Sequence, residues 1–437
     1  RDSYYIEGNF GYNGSENFAK GHRFGFFPSI AVGYNISNEK FWQPIKPVIS
    51  NLKIRGSWGL VGNDATNAGR FAYMEDLVLG GSDSYTTGIR QDTYYSGPSW
   101  NRYFNPDLTW EVGEKINLGL DLQLFNDFNL TFDIFREKRR DIFMTRENSI
   151  PEIVGTGETK ITSNNGEMEN KGLDLAIDYN KQITKDFFLS FKSTLTFARN
   201  KVLKMDESPY FEYPGLSDVG HPLGTYWGYV ADGLFPDQET IDNSPRQDLG
   251  YTPQPGDIKY VNQPNAKGEY DNVINSNDRV AIGHPYDPEL VYGFGPSMKW
   301  KNWDFSFFFQ GVARTSFMMY GMHPFGTTSI KNMLQFVADD HWSVDNPNPN
   351  AAYPRLTKDS NGNNDQYSTY WLRNAAFLKL KNAEIGYTYK GMRFYLSGVN
   401  LLTFSPFKHW DPEMGGGNGL YYPTQRVFNI GFQMTIQ

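Results

Sequence analysis

The stretch LGLDLQLFNDFNLTFDIF, residues 118–135, decides the fold. Leu118, Leu120, Leu122 and Leu124 alternate with Gly119, Asp121 and Gln123, and beyond Asn126-Asp127 the residues Leu130, Phe132 and Ile134 alternate with Thr131 and Asp133. A period of two sends successive side chains to opposite faces of a strand, and an Asx pair is turn chemistry. The stretch therefore reads as a hairpin with one apolar and one polar face. What the apolar face touches is the question that the rest of the chain must answer.

The alternation recurs. In FGFFPSIAVGYNI, Phe24, Phe26, Ile30, Val32, Tyr34 and Ile36 oppose Gly25, Ser29, Ala31, Gly33 and Asn35; in NLKIRGSWGL, Leu52, Ile54, Trp58 and Leu60 oppose Lys53, Arg55 and Ser57. Near the end, Phe428, Ile430, Phe432, Met434 and Ile436 oppose Asn429, Gly431, Gln433 and Thr435. Period-two scanning predicts about twelve strands, at 3–12, 24–36, 51–61, 111–125, 128–141, 168–181, 187–200, 289–300, 303–315, 376–389, 393–403 and 422–437. The 437 residues include 16% aromatics, 43 Gly and 24 Pro, a composition that suits an all-β chain with long turn-rich loops.

Mean hydropathy is −0.57, and no run of about 18 apolar residues occurs, which excludes a helical membrane span. A membrane barrel is not excluded, because half of each of its strands faces the lumen. The net charge of −8 argues against a nucleic-acid binder that tracks phosphates, so no nucleic-acid partner is expected. Without cysteine there is neither a disulfide framework nor a thiolate site.

The connections between strands are asymmetric. Tight turns at Asn126-Asp127, Ile183 to Lys185, Lys301-Asn302 and Lys390-Gly391 alternate with long segments near 62–110, 142–167, 201–288, 316–375 and 404–421. Short turns at one end and long loops at the other are the signature of an outer-membrane barrel. Aromatics gather at the short-turn end, at Phe125 and Phe128, Phe187 and Phe188, Trp300 and Trp303, Tyr389 and Phe394, as in the girdle at lipid headgroup level. Leu118 to Leu124 are then expected to face lipid, with Asp121 and Gln123 facing a wet interior. The alternative is a large soluble all-β protein whose apolar faces pack on one another.

Candidate binding residues lie in the long loops. Tyr94, Tyr95, Trp100 and Tyr103 in RQDTYYSGPSWNRYF, and Met319, Tyr320, His323, Phe325 and Trp342 in the 316–375 loop, offer rings that stack on sugars or peptide side chains. The plainer account of each is packing between loops. Asp121, Asp133, Asp174, Asp178, Lys192 and Asp304 are expected to hydrate the lumen or contact a plug. In NAKGEYDNVINSNDR, Asp271, Asn275 and Asp278 lack the regular oxygen spacing of a calcium loop, so neither metal nor cofactor is expected, and DNPNPN at 345–350 reads as a rigid turn. The six histidines are far apart and neither HExxH nor GxSxG occurs; Asp411 and Glu413 of DPE would need a partner to do acid–base work, and the chain does not read as an enzyme.

Several phrases resemble the SusC/RagA family of TonB-dependent outer-membrane transporters, in family order and over nearly the whole chain. Among them are LKIRGSWGLVGND, NPDLTWEVGEKINLGLDLQLFN, GEMENKGLDLAIDYN, GHPLGTYWGYVADGLF, WDFSFFFQGVAR, AAFLKLKNAEIGYTY and LSGVNLLTFSPFKHWDPE. The resemblance implies that residues 1–437 are the C-terminal half of a barrel of about 22 strands, with the plug, the TonB-contacting segment and the earlier strands outside this chain. It also implies a SusD-like surface lipoprotein as partner, and import of an oligosaccharide, or alternatively an oligopeptide. The chain departs from the family at NQPNAKGEYDNVINSNDR, where an aspartate- and glycine-rich segment is usual, and at its terminal MTIQ, where an aromatic is usual. A passive pore, or a soluble glycan-binding β-protein, are the readings from other classes.

Overall fold

A computed structural model describes residues 2–434, apart from 67–68, 81–83, 147, 149, 155–160, 209, 321–324, 327–328, 331–332 and 358–360. Its frame is a twelve-stranded antiparallel sheet in which each strand pairs with its sequence neighbours. The strands are β1 (Tyr4–Gly14), β2 (Phe24–Asn35), β3 (Ile49–Asn63), β4 (Glu111–Leu124), β5 (Phe128–Thr145) and β6 (Thr162–Thr184). They continue as β7 (Phe187–Lys204), β8 (Leu290–Trp300), β9 (Trp303–Ala313), β10 (Phe377–Tyr389), β11 (Met392–Phe404) and β12 (Val427–Met434). Among the described residues the sheet is open, with β1 and β12 as its edges.

The opening hairpin sits within this frame. Leu124 pairs with Phe128, and Leu118, Leu120 and Leu122 face Ile134, Phe132 and Leu130 across β4 and β5. Phe125 and Asn126 take left-handed backbone angles, which close the turn, and the Asp127 N–H donates to the Leu124 carbonyl at 3.1 Å. At Lys390-Gly391 both turn residues have positive φ, the geometry that matches strand twist in a two-residue hairpin. The apolar face stays uncovered by protein: Leu118 is 61% exposed, Phe26 58%, Leu396 53% and Ile430 88%. Such a continuous apolar face needs a non-aqueous partner.

The girdle is present at the short-turn end, with Trp300 directly opposite Trp303 and with Phe125, Tyr389 and Phe394 exposed beside them. Phe188 is a correction. It pairs with Lys299, which is itself opposite Asp304, so it lies on the polar face of the sheet.

Several strands run further than the alternation predicts. β5, β6 and β7 extend beyond residues 141, 168 and 200 because pairing persists past the apolar belt, where outward ion pairs such as Arg136–Glu169 at 2.6 Å and Lys138–Glu167 at 3.1 Å replace apolar residues. β9 stops at Ala313, since Arg314 has positive φ, and β12 begins at Val427, because its partner strand reaches Asn400, whose φ is positive and whose side-chain amide donates to the Gln425 carbonyl at 3.0 Å. The connection 36–48 lies at the short-turn end and folds as two single-turn 3₁₀ segments, Ile36–Asn38 and Lys40–Trp42.

The long loops are folded bodies. Segments from 205–288, 316–375 and 405–421 share one buried core that includes Tyr229, Ile258, Tyr260, Ile274, Phe317, Met319, Trp342, Tyr353 and Trp371. Short pairings knit it together: Tyr226–Gly228 with Val280–Ile282, Ala231–Leu234 with Ile258–Tyr260, and Ser316–Met318 with Leu372–Asn374. A second core joins Phe18, Phe27, Ala72, Leu108 and Trp110. Gly62 and Gly25 admit the Phe27 ring, since a Cβ on either would fall 1.9 Å and 2.3 Å from it.

Candidate functional site

The polar face of the sheet carries a charge lattice. Arg55 lies 3.2 Å from Asp121 and 2.6 Å from Asp133, in space that exists because Gly119 has no side chain. Arg139 reaches Glu137 at 2.7 Å and Glu111 at 3.0 Å, Thr196 donates to Asp174 at 2.6 Å, and Lys192 stands 3.9 Å from Asp178. Arg393 joins Asp304 to Glu384. All the lumen residues singled out in the sequence thus share one face, most of them satisfied across strands. One Asp133 carboxylate oxygen is buried without a hydrogen-bond partner.

At the long-loop end, the candidate rings divide. Tyr94 and Tyr95 sit on the exposed strand Thr93–Ser96, paired with Ser84–Thr87, where Tyr95 stacks on Tyr85 with centroids 5.2 Å apart; Trp100 stacks on Tyr103 at 5.8 Å. Tyr320 is 49% exposed, and its N–H donates to the Gly417 carbonyl at 3.1 Å. Trp342 belongs to the loop core at 6% exposure and packs on Gly256, so it is removed from the surface. Met319 is fully buried in the same core. His323 lies outside the described residues; Phe325–Gly326 pairs with Ser329–Ile330, and the Phe325 side chain is likewise outside them.

Tyr320 has neighbours that periodicity did not single out. The neighbouring Tyr421 raises its pKa, and Tyr226 is pushed up to about 12 by burial and then by Tyr286 and Tyr367. Tyr286, Tyr320, Tyr367 and Tyr421 are each about half exposed, so this is a surface cluster at the convergence of the long loops. The glycine run MGGGNGLYY lies against it: Gly417 borders the Tyr421 and Tyr320 rings and Gly415 the Tyr286 hydroxyl, and both take positive φ, which favours glycine. Glycines beside paired tyrosines were the available sequence signal. Beneath the cluster, the space between Tyr320, Tyr353, Trp371 and Arg355 measures about 40 Å³, room for about one water. That space is too small for a sugar ring, so a ligand at the cluster meets its outer surface; a larger cleft, of about 890 Å³, lies apart from it, between Phe235 and Gln254 in the 205–288 loop.

The remaining motifs are structural. DPE finds its partner in Lys379, a fully buried lysine whose ammonium lies 2.6 Å from Asp411 and contacts Glu413, with Lys381 3.0 Å from Glu413. That is an ion-pair clamp. Asp278 accepts from the N–H groups of Asn275 and Gln263 at 2.8 and 2.7 Å, closing a capping box, and desolvation raises its pKa. Among the described residues no group of three or more His, Cys, Asp or Glu is placed to hold a metal ion. Asp257, fully buried, accepts from Arg355, Asn361 and Asn364 and ties the 316–375 loop to the 205–288 loop.

An antiparallel sheet with an uncovered apolar belt, a charged opposite face and elaborate loops at one end is the wall of an outer-membrane barrel. Residues 2–401 match the family described as TonB dependent receptor-like, beta-barrel, and the chain belongs to that family. It is 29% identical over 450 residues to the TonB-dependent receptor SusC of Bacteroides thetaiotaomicron, covering 97% of this chain and 41% of that protein. To the TonB-dependent receptor P3 of Formosa agariphila it is 27% identical over 457 residues, covering 97% and 43%. The fold superposes on the RagAB peptide transporter with a TM-score of 0.75 and 21% identity, over 99% of this chain and 46% of that one. The chain spans less than half the length of these relatives. It is an outer-membrane β-barrel chain of the TonB-dependent receptor family, similar in sequence to SusC and in fold to the RagAB transporter.

Proposed function

We propose that this chain forms the C-terminal half of the wall, and the outer mouth, of a TonB-dependent importer that works with a SusD-like surface lipoprotein. The role is transport, without catalysis. In this reading the plug and the TonB contact belong to the portion of the relatives that the chain does not span, and the charge lattice around Arg55 and the partnerless Asp133 oxygen face that plug. The cargo is an oligosaccharide. The observation that carries this choice is the tyrosine cluster of Tyr286, Tyr320, Tyr367 and Tyr421, whose half-exposed rings and hydroxyls suit the apolar faces and hydroxyl edges of sugar rings. Tyr94, Tyr95, Trp100 and Tyr103 would extend that surface. An oligopeptide is the second reading, favoured by the fold shared with a peptide transporter.

The test is calorimetric titration of the full-length protein with its lipoprotein, using pools of neutral oligosaccharides and of mixed-sequence peptides. Oligosaccharide binding that weakens about tenfold in Tyr320→Ala, and again in Tyr421→Ala, is expected. Binding of the peptides alone would replace the cargo with the second reading. Binding of either class that both variants leave unchanged would remove the cluster from the site.

A further inference from the structure

The outward face of β5, β6 and β7 has a feature that neither lipid packing nor cargo handling uses. Reading up these strands from the short-turn end, the last apolar row is Ile134, Leu173 and Phe197, which are direct cross-strand partners. The next row, about 7 Å further along the strands, is Arg136, Lys171 and Arg199, again directly opposite one another. The row above holds Lys138, Glu169 and Lys201.

Like charges placed directly across strands destabilise a sheet, so an uninterrupted row of cations calls for an anion. The protein supplies part of it: Glu169 reaches Arg136 at 2.6 Å and Lys171 at 2.8 Å, and Glu289 reaches Arg199 at 3.2 Å while shared with Arg314 at 2.6 Å. Lys201 is exposed and has no ion-pair partner among the described residues. The cations remain accessible, with side-chain exposures of 51% for Arg136, 59% for Lys171 and 56% for Arg199.

Between the rows lies an open cleft of about 550 Å³. Ile134, Leu173 and Phe197 form its floor and Lys171, Arg199 and Lys201 its upper side, with the Glu169 carboxylate beside Lys171, under a lip made by Gly220 and Pro222. The cation row is bounded on one side, for the residue opposite Arg136 on β4 is the apolar Ile116. An apolar floor at the top of the lipid belt, under a cationic ledge at the long-loop end, has the shape and charge of a seat for an acyl chain and the phosphate above it.

We propose that this cleft binds a phosphate-bearing lipid of the outer leaflet, with acyl chain on Ile134, Leu173 and Phe197 and phosphate on Lys171, Arg199 and Lys201. Outer-leaflet lipid then supplies the counter-charge that the cation row lacks and anchors the lip of the 205–288 loop.

The test uses the full-length protein purified in detergent and delipidated, with native mass spectrometry counting bound lipid A, either phosphorylated or dephosphorylated. The phosphorylated lipid is expected to bind at least tenfold more tightly. Lys201→Gln should weaken it roughly fivefold, and Lys171→Gln/Arg199→Gln/Lys201→Gln should abolish the preference, while Lys192→Gln on the opposite face leaves it unchanged. If the triple variant fails to fold, judged by heat-modifiable gel mobility, the exposed Lys201→Gln carries the test alone. Equal binding of the two lipids, or a preference that these substitutions do not alter, would overturn the assignment. So would displacement of the lipid by millimolar inorganic phosphate, which would make the ledge a free-anion site.

Discussion

Lys379→Met tests how the mouth is held in place. Lys379 is fully buried on β10, and its ammonium holds Asp411 and Glu413 of the last loop. Asp411 in turn caps the turn Pro412–Met414 by accepting the Glu413 N–H at 3.0 Å, and the chain then runs through Gly415 to Gly417. There the Gly417 N–H donates to Met318 at 2.8 Å and its carbonyl accepts the Tyr320 N–H at 3.1 Å. The clamp thus passes the position of the barrel wall to the tyrosine cluster. Removing one member of a buried ion pair costs about 3–5 kcal/mol, because a charge is left uncompensated. Here the carboxylates are 20% and 25% exposed and Glu413 keeps Lys381, so about 2–3 kcal/mol is expected. That corresponds to roughly 30- to 150-fold more frequent local opening. Hydrogen exchange followed by mass spectrometry on peptides spanning residues 316–320 and 412–421 reads it directly. Lys379→Met/Asp411→Asn/Glu413→Gln should recover most of the protection, since no charge is then stranded. Unchanged exchange at Gly417 and Tyr320 in Lys379→Met would refute the idea that the clamp sets the loop.

Leu120→Arg, in the middle of the apolar belt on β4, should destabilise the barrel in lipid by about 2–4 kcal/mol, whereas Gln123→Arg on the opposite face should be nearly neutral; equal effects in denaturant titration would mean the faces are wrongly assigned. Alkaline stability should report on the tyrosine cluster. The Tyr226 pKa is raised, chiefly by burial, to about 12, so in the window from about 10 to about 12 the folded state binds more protons than the unfolded state, and stability falls as pH rises through it. Phenolate absorbance should show a late-titrating component in this window that shrinks in Tyr226→Phe, and a titration identical in the two proteins would count against the buried placement. Gly62→Val should disrupt the Phe27 core, because its Cβ would fall 1.9 Å from that ring, at a cost of about 1–3 kcal/mol in melting experiments, with Gly62→Val/Phe27→Leu partly restoring it.

What the sequence by itself determined is the sheet. Strand period, turn chemistry and the alternation of short and long connections are local properties, and Leu118 to Leu124 announce an apolar face in any context that forms a strand. The family phrases lie in the same strands, so they identified the chain without naming its cargo. What only the tertiary structure decided is the meaning of the loops. Trp342 and Tyr320 look alike in sequence, yet one is buried against Gly256 and the other half exposed beside Tyr421. Asp411 and Glu413 stand in the sequence without a partner, and only folding brings up Lys379, more than thirty residues away, as their counter-ion. The cation row on β5 to β7 exists only once register places Arg136, Lys171 and Arg199 side by side. The physical reason is the same in each case. A strand's faces follow from the geometry of neighbouring residues, whereas burial, charge pairing and ring clustering in loops depend on contacts between distant segments, which no local pattern encodes.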